Sequence, residues 1–296
     1  MSDAVAADDA TFDPRHHALT SPRVIHALLA RHGLRADKGF GQHFLTDPHT
    51  VTAVVQAAGI GPSDEVWEVG PGLGVLTRAL AGAARKVVAV ELDARLLPLL
   101  RETLADAPNV EVRHEDALRV AWAEASPGSV FAANLPYNVG TAVLVRVLTS
   151  GRFARIGVLL QREVAERLVA GPGTPAYGSL SLLVAHHGRA RIVRRVAPGA
   201  FLPPPAVTSA VVAIDVDLER RSDPKTFALI RTGFRHRRKT LASNLRLVGV
   251  DAGVVRSALD ALGLPAAVRA EALDLGTFRA LADRLPALDD RDGTTD

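Results

Sequence analysis

Asn134-Leu135-Pro136-Tyr137 places an amide, a backbone-fixing proline and an aromatic ring within four residues. That combination suits methyl transfer to an exocyclic ring amine. Such a nitrogen is a poor nucleophile, because its lone pair is delocalised into the ring, and it must be held in line with a methyl sulfonium. Two acceptors on its N–H groups favour the pyramidal, nucleophilic geometry. The Asn134 side-chain carbonyl and the Leu135 backbone carbonyl can supply them. Pro136 has no N–H and restricts the backbone on both sides, which aims that carbonyl outward. Tyr137 offers a face on which a flipped base can stack. No strong base is required, since the proton becomes acidic only after transfer and leaves to water. Catalysis would then rest on positioning and electrostatics. A buried Asn-Pro turn would give the same residues without any chemistry.

A second stretch, Glu68-Val69-Gly70-Pro71-Gly72-Leu73-Gly74, reads as a strand running into a glycine-rich turn and a helix. Such a turn lets the backbone approach a ligand, and the helix start supplies free N–H groups. Glu91, seventeen residues after Gly74, ends the run VVAVEL, where a carboxylate can accept from both ribose hydroxyls. The spacing is G-x-G-x-G rather than the dinucleotide pattern G-x-G-x-x-G. It favours a methyltransferase over a nicotinamide dehydrogenase without excluding the latter, and turn geometry alone remains open. Asp116, after the run NVEVRH, can accept from an adenine amino group, although an N-cap acid looks the same.

These residues need a scaffold. From about Val51 to Ile214, strand-like and helical segments alternate. VTAVVQAAG, LGVLTRALAGA, ARLLPLLRETLAD, TAVLVRVLTSG and EVAERLVAG read as helices, and EVWEVG, KVVAVELD, NVEVRHED, GSVFAANLPY and ARIGVLLQ as strands. The alternation predicts an α/β fold with a parallel sheet covered on both faces. FLPPPAVTSAVVAIDVD adds a proline-rich loop and one more strand. From Pro224 only helical patterns follow: KTFALIRTGFRHRRKTLASNLRLVG, AGVVRSALDALG and GTFRALADRL. The expected organisation is a tail at 1–20, a main domain at 21–217, a helical RNA-binding domain at 222–286 and a tail at 287–296.

Composition narrows the classes. Cysteine is absent, which excludes disulfides, thiolate metal sites and a cysteine nucleophile, and fits a reducing cytoplasm. No run of eighteen apolar residues occurs, so no membrane span is expected. The acidic start lacks the apolar core of a secretory signal. Net charge is +3, a mild excess whose placement matters more than its total. Arg231 to Arg246 carries six basic residues and no acid: Arg231, Arg235, Arg237, Arg238, Lys239 and Arg246. Phe234, Leu241 and Leu245 fall on one face of a helix through this segment, which leaves the cations for phosphates. Arg189, Arg191, Arg194 and Arg195 form a second basic cluster. A solvated face of an Arg-rich protein is the plainer account of both. The pairs His16-His17 and His186-His187 lack a third ligand at metal spacing, so no metal is expected.

Taken together, the chain resembles the KsgA-type ribosomal RNA adenine dimethyltransferases, whose relatives include the Erm resistance methyltransferases. The matching stretches are GFGQHFLTDP, EVGPGLGVLT, VVAVELD, EDA, ANLPYNVGT, LLQREVAERLVAGPGTPAYGSLSLL, FLPPPAVTSAVV and FRHRRKTLASNL, in family order and spacing. They span about Arg31 to Leu285. The resemblance implies a Rossmann-like class I methyltransferase sheet with a small C-terminal α-helical domain. It implies an S-adenosylmethionine pocket formed by His43, Leu45, Gly70, Gly72, Glu91, Leu92, Asp116, Ala117 and Asn134. It also implies Asn134, Leu135, Pro136 and Tyr137 at the reacting amine, with Phe201 stacking on the target base opposite Tyr137. The family usually has asparagine where this chain has His43. The implied substrate is a pair of adjacent adenosines in the 3′-terminal hairpin loop of 16S RNA, each receiving two methyl groups. The implied partner is a precursor small ribosomal subunit, met by a monomer in the cytoplasm. QREVAERLVAGPGTPAYG and RRKTLASNL favour this branch over an Erm-like enzyme acting on large-subunit RNA. A non-catalytic assembly factor with the same fold would be expected to lose Glu91, Asn134 or Tyr137, and all are present.

Overall fold

Valine-rich runs and amphipathic helices alternate along the first half of the chain, and they fold as a sheet with helices packed on it. The computed structural model describes residues 18–36, 41–220 and 222–288. Strands β2 (Glu65–Val69), β3 (Lys86–Glu91), β4 (Val110–His114), β5 (Ser129–Asn134) and β6 (Phe153–Gln161) join β7 (Gly188–Val196) and β9 (Ser209–Val216). Their order is β4-β3-β2-β5-β6-β9-β7. The first five are parallel, as the alternation predicts. The sheet as a whole is mixed, because β9 runs antiparallel to β6, with Gln161 opposite Ser209 and Arg155 opposite Asp215. Between β7 and β9 the chain makes only a single 3-10 turn, Pro198–Ala200, and a two-residue strand.

Alternate residues of the central strands point to opposite faces. Val66, Val130, Ala132 and Ala213 join α2 (Pro48–Ala58) and α3 (Val75–Ala83) in one apolar cluster. On the other face Trp67, Trp122, Phe131 and Phe153 meet edge to face, with centroids 5.7–5.9 Å apart. Gly157 of β6 has no room for a side chain, since a Cβ there would stand 2.5 Å from the Ala58 backbone nitrogen. Its absence lets α2 lie directly on the sheet. Asp47 caps α2 through the His49 N–H, at 3.0 Å. Helix α1 (Pro22–Arg31) buries Ile25 and Leu28 with Leu99 and Leu100 of α4 (Leu97–Thr103). Leu19, assigned to the N-terminal tail by sequence, is buried in the same cluster. The remaining expected tail segments, 1–17 and 289–296, lie outside the described residues.

The chain divides into two units. One runs to Ala165 and resumes over Arg191–Val216, and the other takes Glu166–Ala190 and the chain from Asp217 on. The helical unit therefore includes residues 166–190, which the sequence places in the main domain. The reason is a shared core: Tyr177 and Leu182 are buried with Leu229, Leu241, Leu245 and Phe278. The Tyr177 hydroxyl also donates to the Leu273 carbonyl at 2.8 Å. This unit contains α7 (Ser179–His187), α8 (Pro224–Phe234), α9 (Leu241–Leu247), α10 (Ala252–Asp260) and α11 (Leu275–Arg284). Asp223, Thr240, Asp251 and Asp274 each cap the helix that follows. Among the described residues, no helix is long and apolar enough to cross a membrane.

Candidate active site

The carboxyl ends of β2, β3 and β5 open into a cleft in the first unit, about 1050 Å³ with part of it open to solvent. This is the usual ligand position in an open α/β sheet. Gly70, Gly72 and Gly74, between β2 and α3, all adopt positive φ, a conformation other residues resist. A Cβ on Gly72 would stand 3.3 Å from the Phe44 ring, and one on Gly70 would stand 3.4 Å from the Pro136 ring. The bare turn thus packs against both neighbouring segments.

Glu91 closes the far side of the turn. Its carboxylate accepts from the Asp93 N–H at 2.8 Å and the Gly72 N–H at 3.4 Å. Burial raises its pKa, and the N–H of Asp93 opposes that shift. Glu68 lies below, only 1% exposed, with Oε2 buried and without a partner among the described residues. Burial, reinforced by the nearby Glu91 charge, pushes its carboxyl up to about 8, so Glu68 is protonated at neutral pH. Asp116 lines the cleft while its Oδ1 accepts from the Leu118 N–H at 2.9 Å. It therefore serves as a cap and a wall at once. Leu92, 53% exposed, and Ala117 flank the same wall.

The Asn134–Tyr137 turn forms the opposite side. The Asn134 amide donates through Nδ2 to the His43 carbonyl at 3.2 Å, which leaves Oδ1 as its acceptor. Leu135 is pinned through its N–H to the Leu159 carbonyl at 3.0 Å, and the Pro136 carbonyl accepts from Gly140 at 2.8 Å. Half-buried Tyr137 shares a 2.5 Å hydrogen bond with the Ser209 hydroxyl. Burial raises the pKa of its phenol. The His43 ring centroid is 5.3 Å from that of Tyr137, tilted by 33°. Its Nδ1 donates to the Pro203 carbonyl at 2.8 Å, so the proton is on Nδ1 and Nε2 is the acceptor when the ring is neutral.

His43, Leu45, Gly70, Gly72, Glu91, Leu92, Asp116, Ala117, Asn134, Leu135, Pro136 and Tyr137 thus meet at one cleft. Phe201 does not. It is 3% exposed, in the apolar cluster with Leu45, Val196 and Val211. The cause is a two-residue strand, β8 (Phe201–Leu202), that pairs antiparallel with β1 (Phe44–Leu45) and fixes Phe201 opposite Leu45. Gln42 and Glu68 also line the cleft; the sequence signal for Glu68 is its place at the head of the Glu68–Gly74 stretch, and Gln42 carries none.

The second unit holds the basic segment. The expected helix through Arg231–Arg246 is two helices, α8 and α9, joined by a turn. Buried Asn244 donates to the Gly233 carbonyl at 2.8 Å and the His236 carbonyl at 3.3 Å, and Thr240 caps α9. Arg231 is on α8, while Arg235, Arg237, Arg238 and Lys239 fall in the turn, and all five are exposed. Arg237 donates to the Pro175 carbonyl at 2.9 Å. His186 and His187 are buried at the end of α7, where His186 accepts from Arg279 at 2.7 Å.

The sequence model of the family described as ribosomal RNA adenine dimethylase matches residues 33–271. The chain is 43% identical to ribosomal RNA small subunit methyltransferase A of Deinococcus radiodurans, over 96% of each chain. It is 39% identical to the protein of that name from Geobacillus thermodenitrificans, over 92% of this chain and 99% of that one. Among solved structures it is similar to a dimethyladenosine transferase from Plasmodium falciparum, with TM-score 0.71 and 25% identity, covering 81% of this chain and 96% of that chain. It is also similar to the 23S rRNA methyltransferase ErmE, with TM-score 0.63 and 26% identity, covering 82% of this chain and 99% of that chain.

Proposed function

The chain belongs to the ribosomal RNA adenine dimethylase family, and from that premise we propose that it dimethylates two adjacent adenosines at N6 in the 3′-terminal hairpin loop of 16S ribosomal RNA. We place the reaction in the cytoplasm, on a precursor small subunit, with the chain acting as a monomer and S-adenosylmethionine as methyl donor. One observation carries the reading: the glycine turn, Glu91, Asp116 and Asn134–Tyr137 converge on a single cleft.

The cleft fits the donor. The bare Gly70–Gly72 backbone admits a ligand beside Glu91, a carboxylate suited to ribose hydroxyls. Leu92 and Ala117 offer apolar contact to an adenine, with Asp116 at its amino edge. When bound, S-adenosylmethionine supplies an electrophilic methyl carbon. The protein's part is to hold the target amine. Asn134 Oδ1 and the Leu135 carbonyl accept from its N–H groups, and the Tyr137 ring stacks on the base. The contact between the Asn134 amide and the His43 carbonyl fixes which end of Asn134 faces the amine. Arg231, Arg235, Arg237, Arg238 and Lys239 hold phosphates, a contact that positions RNA without reading its sequence. Specificity then rests on RNA shape and the extruded base.

The test uses labelled S-adenosylmethionine and small and large subunits from cells lacking this protein, with the label mapped by nucleoside analysis. Dimethyladenosine in the 3′ hairpin of the small subunit is expected. Label confined to large-subunit RNA would replace this reading with an Erm-like one. Subunit binding with no label anywhere would leave a non-catalytic assembly factor.

A further inference from the structure

From Arg167 to Ile214 the chain contains no aspartate or glutamate, although it has 32 acidic residues in all. Three arginines of the first unit fall in this stretch. Arg191, Arg194 and Arg195 lie on β7, at the end of the sheet order. All three are exposed, as is Val193 between them at 42%. Alternation along a strand puts Arg191, Val193 and Arg195 on one side, with the two arginines roughly 13 Å apart. Arg194 points the other way, where it reaches Asp47 at 3.7 Å.

Charge on an edge strand also guards against pairing with another chain. That purpose is met by one cation, or by either sign, and does not explain a run without any acid. Arginine in particular presents a planar fork that matches phosphate oxygens. The strand also leads somewhere. It ends at Val196, five residues before Phe201. Phe201–Leu202 pairs with Phe44–Leu45, which line the cleft, and the Thr46 N–H donates to the Ala200 carbonyl at 2.8 Å.

We propose that Arg191 and Arg195, with Arg194 beside them, form a phosphate-binding track on the catalytic unit for the RNA that flanks the target adenosines. The proposal rests on the RNA-methyltransferase reading above. It adds a charged surface, outside the 231–246 segment, that holds RNA on the unit containing the cleft.

The test measures binding of the full chain to precursor small subunits at about 50 and about 200 mM salt. Each phosphate contact contributes about 0.7–0.9 to the slope of log affinity against log salt. Two contacts over a fourfold salt change therefore amount to about a 7–12-fold difference. The Arg191→Gln/Arg195→Gln variant should bind more weakly and be less salt-sensitive than wild type by that factor. Its affinity for S-adenosylmethionine should be unchanged by calorimetry. Arg191→Lys/Arg195→Lys keeps the charge and should restore the slope. An unchanged slope in the glutamine variant overturns the proposal. So does self-association of that variant with an unchanged slope for its monomer, which would leave edge protection as the role of the arginines. A wild-type chain that binds subunits through this strip and forms no methyladenosine would instead refute the proposed reaction.

Discussion

Replacing Glu68 with glutamine should stabilise the ligand-free protein, and more so as pH rises. Glu68 is 1% exposed, and its carboxyl is raised from 4.5 to about 8. Between those values the folded chain keeps a proton that the unfolded chain releases. Wild-type stability from this group is therefore full below about pH 4.5 and declines as pH rises towards 8. Each pH unit corresponds to about 1.4 kcal/mol. The decline reaches roughly 3 kcal/mol near pH 7 and roughly 5 kcal/mol above pH 8, against a typical total stability of about 5–15 kcal/mol. Glutamine is neutral throughout and close in shape, so Glu68→Gln should not show the decline. Any difference in amide packing adds a constant that does not vary with pH. Urea unfolding followed by tryptophan fluorescence is the assay, because the chain has two tryptophans, Trp67 and Trp122, both in the first unit. The gap between variant and wild type should widen steadily from about pH 5 to about pH 8. Parallel curves over that range would show that Glu68 is not held protonated and would refute the argument.

Asn134→Ala should reduce methyl transfer at least about a hundredfold, the scale for deleting one preorganised polar contact at a reacting centre, with an unfolding midpoint near wild type; near-normal turnover would remove Asn134 from the chemistry. His43→Asn keeps a donor for the Pro203 carbonyl and loses the ring beside Tyr137. The KM for subunits should rise about 2–12-fold, the range for an aromatic contact of about 0.5–1.5 kcal/mol, without a change in cofactor affinity; the reverse pattern would make His43 a cofactor contact. Burial, with His186 beside it, lowers the His187 pKa from 6.5 to about 4. The unfolded chain thus gains a proton first on acidification, and the helical unit should lose stability between about pH 6.5 and 4. Hydrogen exchange in α7 should report this loss, and His187→Gln should remove the pH dependence; identical acid profiles would exclude His187 as its source.

The parallel strands and the glycine turn were legible because each is set by local requirements. Valine-rich runs such as Lys86–Glu91 carry their own pattern, and glycines at 70, 72 and 74 answer to positive φ at those same positions. What escaped depends on partners far along the chain. Strand β7, with arginines at 189, 191, 194 and 195, reads as a charge cluster rather than a strand. The break between α8 and α9 is hidden among arginines and a lysine, all good helix formers. It is made by Asn244 binding carbonyls at Gly233 and His236. Residues 166–190 join the helical unit because Tyr177 finds the Leu273 carbonyl 96 positions away.

The same distinction runs through the cleft itself. The wall with Gly70, Gly72, Glu91 and Asp116, proposed for the cofactor, is made within successive strand-turn-helix segments, so its residues can be chosen from sequence one motif at a time. The wall proposed for the target base is made between segments: Asn134 bonds to the His43 carbonyl, His43 to the Pro203 carbonyl, and Tyr137 to Ser209. Phe201 belongs to the third of these segments, and its placement is decided by a two-residue pairing with β1 that is too short to leave a periodic signal. An aromatic residue beside a proline-rich loop reads equally well as a stacking surface or as core. Burial at 3% places Phe201 in the core. Tyr137 and His43 are neighbouring rings in the lining of the cleft, which also includes Phe44. His43 therefore stands next to Tyr137, and on the proposed assignment a change of residue there would act on substrate before it acted on cofactor.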